Sequence, residues 1–262
     1  MRRGSRSFAA RSRRRAVAGA LAACIAAAPV GAADCKGTLY LTIDTGSMSQ
    51  AELIARTLAK HDVKATFFLA NEKTVNGDHS LDSAWGPYWK ARVAEGHAFG
   101  SHTWHHGYFR GDLPGGKVKY VVAGKPQELD AAGVCAELKR SEQRFRELTG
   151  RGYDPIWRAP GGYTTPNALA AARTCGFTHV HWAPAGFLGD ELPSDKYPND
   201  ALLKRALANL RDGDVMVMHT GIWSRKEPFA PMLDPLLAGL KAKGFCFAAV
   251  TPDVAAAKAG RN

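Results

Sequence analysis

The stretch His97-Ala98-Phe99-Gly100-Ser101-His102-Thr103-Trp104-His105-His106 decides how the rest of the chain is read. Its first half, His97 to Ser101, reads as a short buried strand. Its second half is a polar end that carries imidazoles at 102 and 106. Four residues apart in a helical turn, two imidazoles point to one side and can share a metal ion. A buried strand that delivers polar groups just past its C-terminal end is the arrangement on which the active sites of α/β barrels are built.

The same pattern recurs on both sides of this stretch. Thr38 to Ile43, Ala65 to Ala70, Asp154 to Arg158, Thr178 to Trp182, Asp214 to His219 and Cys246 to Val250 read as further strands. Helical patterns separate them at Gln50 to His61, Trp85 to Ala94, Asp130 to Leu148, Asn167 to Cys175, Ala201 to Leu210 and Met232 to Lys243. Strands alternating with helices predict a parallel sheet. An irregular (β/α) barrel of about seven parallel strands fits better than an open sheet, because the polar residues gather just after the strands. Residues 107–127 are glycine-rich and irregular, and a long surface loop is expected there.

Three other strand ends stand out: Thr42-Ile43-Asp44-Thr45-Gly46, Arg158-Ala159-Pro160-Gly161-Gly162 and Val215-Met216-Val217-Met218-His219. Taken singly they carry little. A lone Asp after a strand ordinarily caps a helix, and a lone His at a strand end is as often a satisfied core residue as a functional one. Taken together on one face of a barrel, two His, a carboxylate, a distant His and an Arg are the parts of a metal-assisted hydrolase.

Charge excludes one class of partner. The formal net charge of the 262 residues is +11, but seven arginines lie among the first fifteen positions and no acid precedes Asp34. Beyond residue 32 the balance is 28 basic to 24 acidic residues, which gives no electrostatic case for nucleic acid. Ala16 to Val30 is apolar but shorter than the ~20 residues a membrane helix needs. With Val30-Gly31-Ala32 after it, residues 1–32 read as a secretory signal, leaving a catalytic domain at 33–262. Ser12-Arg13-Arg14 leaves twin-arginine export open, and a lipid anchor through Cys24 is the lesser alternative. The mature protein is expected to be periplasmic or extracellular, without a membrane span, and monomeric. Cys35, Cys135, Cys175 and Cys246 then suggest two disulfides, with three pairings available. None lies in a Cys-x-x-Cys pair, so a zinc ribbon is not expected.

Ala65-Thr66-Phe67-Phe68-Leu69 and Gly96-His97-Ala98-Phe99-Gly100-Ser101-His102-Thr103, with the order and spacing of the four strand ends, resemble the polysaccharide deacetylase family, carbohydrate esterase family 4, from about Leu39 to Pro252. The resemblance implies a deacetylase-type barrel and a divalent metal, zinc before cobalt. It implies that Asp44 is the general base, Arg158 the residue that orients it, His102 and His106 the metal ligands, and His219 the general acid. It selects His106 over the neighbouring His105. Gly161, Trp182 and Val217 fall at substrate-binding positions: Gly161 where an aromatic residue is usual, and Val217 where a larger Leu lines the acetyl pocket.

Two departures matter. Thr45 stands where the family carries a metal-binding Asp, and the acid that tunes the catalytic His has no clean match; Ala185 lies near that position and Asp190 is the nearest acid before Glu191. Weak metal binding is therefore expected, with Asp44 or a water held by Thr45 filling the gap and Thr45→Asp tightening it. The implied reaction is removal of N-acetyl groups from a glycan containing N-acetylglucosamine: peptidoglycan, chitin oligomers or poly-N-acetylglucosamine, with acetyl xylan less favoured. The alternative is a silent glycan-binding protein of the same fold. In a closed barrel the first and last strands are neighbours, so Cys35 should pair with Cys246. Cys135 and Cys175, on consecutive outer helices, should form the other bridge.

Overall fold

The computed structural model describes residue 1 and residues 35–259. The expected secretory signal and the alternative anchor at Cys24 lie outside the described residues, apart from Met1. In chain order the elements are β1 (Gly37–Asp44), α1 (Ala51–Lys60), β2 (Thr66–Leu69), α2 (Gly86–Ala94), β3 (Ala98–Ser101), β4 (Tyr108–Leu113), β5 (Lys117–Val122), β6 (Lys125–Leu129), α3 (Ala131–Thr149), β7 (Ile156–Trp157), α4 (Pro166–Thr174), β8 (Thr178–His179), α5 (Asn199–Asn209), β9 (Val215–His219), α6 (Leu233–Ala242), β10 (Phe245–Phe247) and α7 (Pro252–Ala259).

Strand β1 organises the sheet. Its first residues pair with β10, its last five with β9 on one side and its last three with β2 on the other. The order runs β10-β1-β2-β3-β7-β8, with β9 on β1, and every ladder is parallel. These are the seven strands read from the sequence. Leu39, Leu41 and Ile43 of β1 are fully buried, as are Phe68 and Leu69 of β2. Strands covered on both faces carry such near-continuous apolar runs. The barrel is irregular, as expected. The sheet is curled, and the gap between β8 and β9 is spanned by residues 183–188 rather than by a direct ladder. There the Ala183 and Leu188 N–H groups donate to the Val215 and Val217 carbonyls at 3.0 and 3.3 Å.

Helices pack outside the sheet because their apolar faces recur at helical spacing. In α3 the buried positions are Val134, Leu138, Ser141, Phe145 and Leu148, three or four apart along one stripe. The Asp130 side chain caps this helix by accepting the Gly133 N–H at 2.8 Å, and Gly150 ends it at φ +81°. Phe145 stacks against Phe99 of β3 with ring centroids 4.6 Å apart, and Trp89 of α2 lies edge-on to Phe67 of β2 at 5.9 Å. Each such aromatic contributes roughly 1.5–3 kcal/mol by burial.

Residues 107–127 are not a loop. They contribute β4 and β5 to an antiparallel sheet of three strands completed by β6. The alternation in Lys117-Val118-Lys119-Tyr120 turns Val118 and Tyr120 inward, where both are buried. Gly115, Gly116 and Gly124 are turn residues with positive φ, and Ala123 and Gly124 both take positive φ between β5 and β6, the backbone a two-residue hairpin requires. Both expected disulfides are present, Cys35–Cys246 and Cys135–Cys175, with Cα separations of 5.6 and 5.9 Å. Among the described residues no helix is long and apolar enough to cross a membrane.

Candidate active site

Parallel strands end on the same rim, and the register fixes which side chains meet there. Asp44 at the end of β1 is the ladder partner of His219 at the end of β9. Ser101 of β3 pairs with Trp157 of β7, so the next residues, His102 and Arg158, leave their strands side by side. Asp44, His102 and Arg158 are all buried.

Arg158 organises the basic half of the site. Its Nη1 donates to Asp44 Oδ1 at 2.8 Å and to Thr42 Oγ1 at 2.6 Å, while Nε donates to the Val180 carbonyl at 3.1 Å. Its guanidinium lies 4.4 Å over the Phe68 ring, and Nη2 has no partner among the described residues. Burial pushes the Asp44 carboxyl up, but Arg158, with His102 and His219, outweighs this and holds it below the usual carboxylate range. Asp44 is thus an anion with one oxygen clamped and the other directed at the site. His102 donates Nδ1–H to the Arg158 carbonyl at 2.9 Å, which leaves the Nε2 lone pair facing Asp44 Oδ2 at 3.6 Å. Burial pushes this imidazole down to about 3, against the opposing pull of Asp44, so it is neutral and able to ligate.

The acidic half is built around His219. Asp190, itself buried, accepts the His219 backbone N–H at 2.7 Å and faces its Nδ1 at 3.1 Å. Glu191 lies 3.9 Å from Nε2. Burial alone would lower this pKa, but Asp190, followed by Asp44 and Glu191, raises it to about 10. His219 therefore carries a proton at neutral pH. The acid that the sequence could only nominate, Asp190, reaches the His219 imidazole.

His106 sits beside His102 with ring centroids 4.9 Å apart. His105 turns away: it is half exposed, and its Nδ1 lies 2.7 Å from Glu137 of α3. The turn between the two inner histidines is strained, with Thr103 at φ +64° and His106 at +51°. Left-handed backbone at a β-branched residue costs about 1–2 kcal/mol. The Tyr120 hydroxyl braces it, lying 3.1 Å from Thr103 Oγ1 and donating to Glu137 at 2.9 Å. The hairpin sheet thus supports the histidine turn.

Sequence reasoning missed one residue at this rim. Glu72, just past β2, accepts from Thr45 Oγ1 at 2.6 Å and lies 3.8 Å from His106 Nδ1. The signal was available in Ala70-Asn71-Glu72, the polar end of the second strand. Among the described residues no three His, Cys, Asp or Glu side chains stand placed together so as to hold a metal ion. Two imidazoles and two carboxylates at one rim, with His102 3.6 Å from Asp44 and His106 3.8 Å from Glu72, are nevertheless the donor types that a divalent ion such as zinc takes.

A wall flanks this rim. Gly161 has φ +61°, and a Cβ there would stand 3.0 Å from the rings of Tyr108 and Tyr163. Those two rings occupy the space an aromatic at 161 would fill. Arg110 lies 4.6 Å over each of them, and Tyr163 is 53% exposed. Trp182 lies at 5.5 Å from the Arg158 guanidinium. Val217 is buried and paired with Thr42, two residues before His219 and so on the same face of β9.

The polysaccharide deacetylase family model matches residues 31–180, more than half of the chain, and the protein belongs to that family. The chitooligosaccharide deacetylase of Bradyrhizobium sp. (strain ANU 289) is 26% identical over 191 residues, covering 72% of this chain and 74% of that one. The peptidoglycan-N-acetylglucosamine deacetylase of Listeria monocytogenes is 25% identical over 214 residues, covering 81% of this chain. The match spans only 38% of the Listeria enzyme's length. Solved structures share the fold. A family 4 acetyl xylan esterase from Clostridium thermocellum, in complex with a cobalt ion, has a TM-score of 0.63 at 18% identity, covering 85% of this chain and 92% of its own. A family 4 pseudoenzyme from Bacillus anthracis has a TM-score of 0.62 at 19% identity, covering 82% of this chain and 64% of its own.

Proposed function

We propose that the protein is an exported, metal-dependent hydrolase that removes N-acetyl groups from a glycan containing N-acetylglucosamine. The observation that carries this reading is the opposed pair at one rim: a deprotonated Asp44 clamped by Arg158, and a protonated His219 held by Asp190. A silent binding protein has no use for a base and an acid tuned in opposite directions.

His102 and His106 would hold a divalent ion, zinc or cobalt, which when bound supplies Lewis-acid polarisation of an acetamide carbonyl. Asp44 Oδ2 takes a proton from the attacking water as its oxygen adds to the carbonyl carbon. Arg158 keeps Asp44 in place throughout, through the bond to Oδ1. The C–N bond then breaks, His219 Nε2 gives its proton to the departing nitrogen, and acetate and a free amino sugar remain. The Gly161 N–H is suited to facing the carbonyl oxygen, Val217 to bounding the acetyl methyl, and Trp182, with Tyr108 and Tyr163, to stacking on sugar rings. Two disulfides suit an oxidising compartment outside the cytosol.

The test is acetate release from chitin oligomers, peptidoglycan, poly-N-acetylglucosamine and acetyl xylan, after chelation and again with zinc or cobalt restored. Metal-dependent release from the N-acetylated glycans is expected. Binding of those glycans without release under any metal would overturn the enzyme in favour of the silent binder, which Thr45 at the position of a metal-binding Asp would then explain.

A further inference from the structure

Thr45 cannot itself do the work of the missing Asp. Its Oγ1 accepts the Ala70 N–H at 3.0 Å and gives its own hydrogen to Glu72 Oε2 at 2.6 Å. A neutral hydroxyl engaged on both sides is a poor ligand for a divalent ion. What the hydroxyl does is aim Glu72. The Glu72 backbone is fixed by Ser80 in both directions: its N–H donates to Ser80 Oγ at 3.2 Å, and its carbonyl accepts the Ser80 N–H at 2.8 Å. With Oε2 held by Thr45, Oε1 faces His106 Nδ1 at 3.8 Å. That is too long for a hydrogen bond, and near the ~3.4 Å separating two donor atoms on one tetrahedral zinc.

His106 is the one basic side chain within ion-pair distance of this carboxylate among the described residues. The Glu72 side chain is only 21% exposed, and among the described residues no Lys or Arg lies within ion-pair distance of it. A divalent ion held beside His106 would supply that positive charge. The topology allows the substitution. β1 and β2 end side by side, with Asp44 paired to Phe68, so a carboxylate lost at position 45 can be supplied from the next strand over.

We infer that Glu72 replaces the first-motif Asp as the anionic ligand of the divalent ion, beside His102 and His106, with Thr45 as the positioning residue that holds its second oxygen. The inference rests on the metal-dependent reading above and changes one of its consequences. Thr45→Asp alone should not tighten the ion, because the new carboxylate would meet Glu72.

Zinc affinity, measured by competition with a chromophoric chelator, tests this without recourse to activity. Thermal melts run alongside establish that each variant is folded. The native chain is expected to bind one zinc. Glu72→Gln should weaken it by at least ~100-fold, and Thr45→Val by roughly tenfold, within the range typical for lost ligand support. The exchange variant Thr45→Asp/Glu72→Gln returns a carboxylate to β1 and should recover most of the affinity. Glu72→Gln binding as tightly as the native chain, while His102→Ala and His106→Ala lose zinc, would overturn the role of Glu72 and leave the metal hydrolase standing. A native chain that binds zinc no better than the two histidine variants would overturn both.

Discussion

Asp190→Asn should convert His219 from a group charged up to about pH 10 into one that titrates nearer neutrality. The two side chains meet at 3.1 Å, between Asp190 Oδ1 and His219 Nδ1. At an effective dielectric of about 20, opposite charges at that distance attract by roughly 5 kcal/mol, equivalent to a 10³–10⁴-fold change in proton affinity. That is comparable to the rise of the imidazole from an ordinary 6.5 to about 10. The amide keeps the shape and still accepts the His219 backbone N–H, so the change removes charge rather than packing. Asp44 and Glu191 remain, and burial opposes them. The alkaline limb of kcat/KM against pH should therefore move down by about two pH units or more. The His219 imidazole, followed by NMR in the metal-free protein, should titrate in the same direction. Stability follows the same sign. A group whose folded pKa lies above its unfolded one stabilises fully below about 6.5 and loses that contribution as pH rises through about 10. Asp190→Asn should flatten this alkaline loss in thermal melts. An unchanged alkaline limb together with an unchanged imidazole titration would refute the assignment of Asp190.

Asp44→Asn leaves the Arg158 guanidinium buried without its anion, so it should cost about 3–5 kcal/mol in urea unfolding as well as at least ~100-fold in acetate release. A variant as stable as the native chain would show that the buried guanidinium does not depend on the Asp44 charge. The two disulfides should differ in worth. Replacing Cys35 and Cys246 by Ser opens a loop of 211 residues and should cost about 5 kcal/mol, against about 4 for Cys135 and Cys175, which are 40 apart. The reverse order in calorimetry would place their effect in native packing. Gly161→Ala puts a Cβ at 3.0 Å from Tyr108 and Tyr163 on left-handed backbone, at a cost of about 1–2 kcal/mol. It should also displace the two rings and raise KM for glycan; an unchanged KM would separate the wall from substrate binding.

The seven parallel strands, the residues at their ends and the family were legible in the chain itself. Hydrophobic runs of strand length, separated by helical stripes, force a parallel sheet, and a parallel sheet must bring Asp44, His102, Arg158 and His219 to one rim. The Cys35–Cys246 pairing followed from the same closure, and Cys135–Cys175 from the adjacency of consecutive outer helices. The hairpin sheet of β4, β5 and β6 was misread because five glycines among residues 107–124 suggested irregularity, whereas several of them mark turns between short alternating strands. Two partnerships depended on tertiary structure. Asp190 reaches His219 only because residues 183–188 cross the gap between β8 and β9, and nothing in sequence spacing fixes such a path. Glu72 reaches His106 only because β1 and β2 end together, with Thr45 holding one of its oxygens. Local pattern decides which elements form and which side they bury. Which anion faces which imidazole depends on residues 29 to 58 positions apart, and the closure of the sheet brings them together.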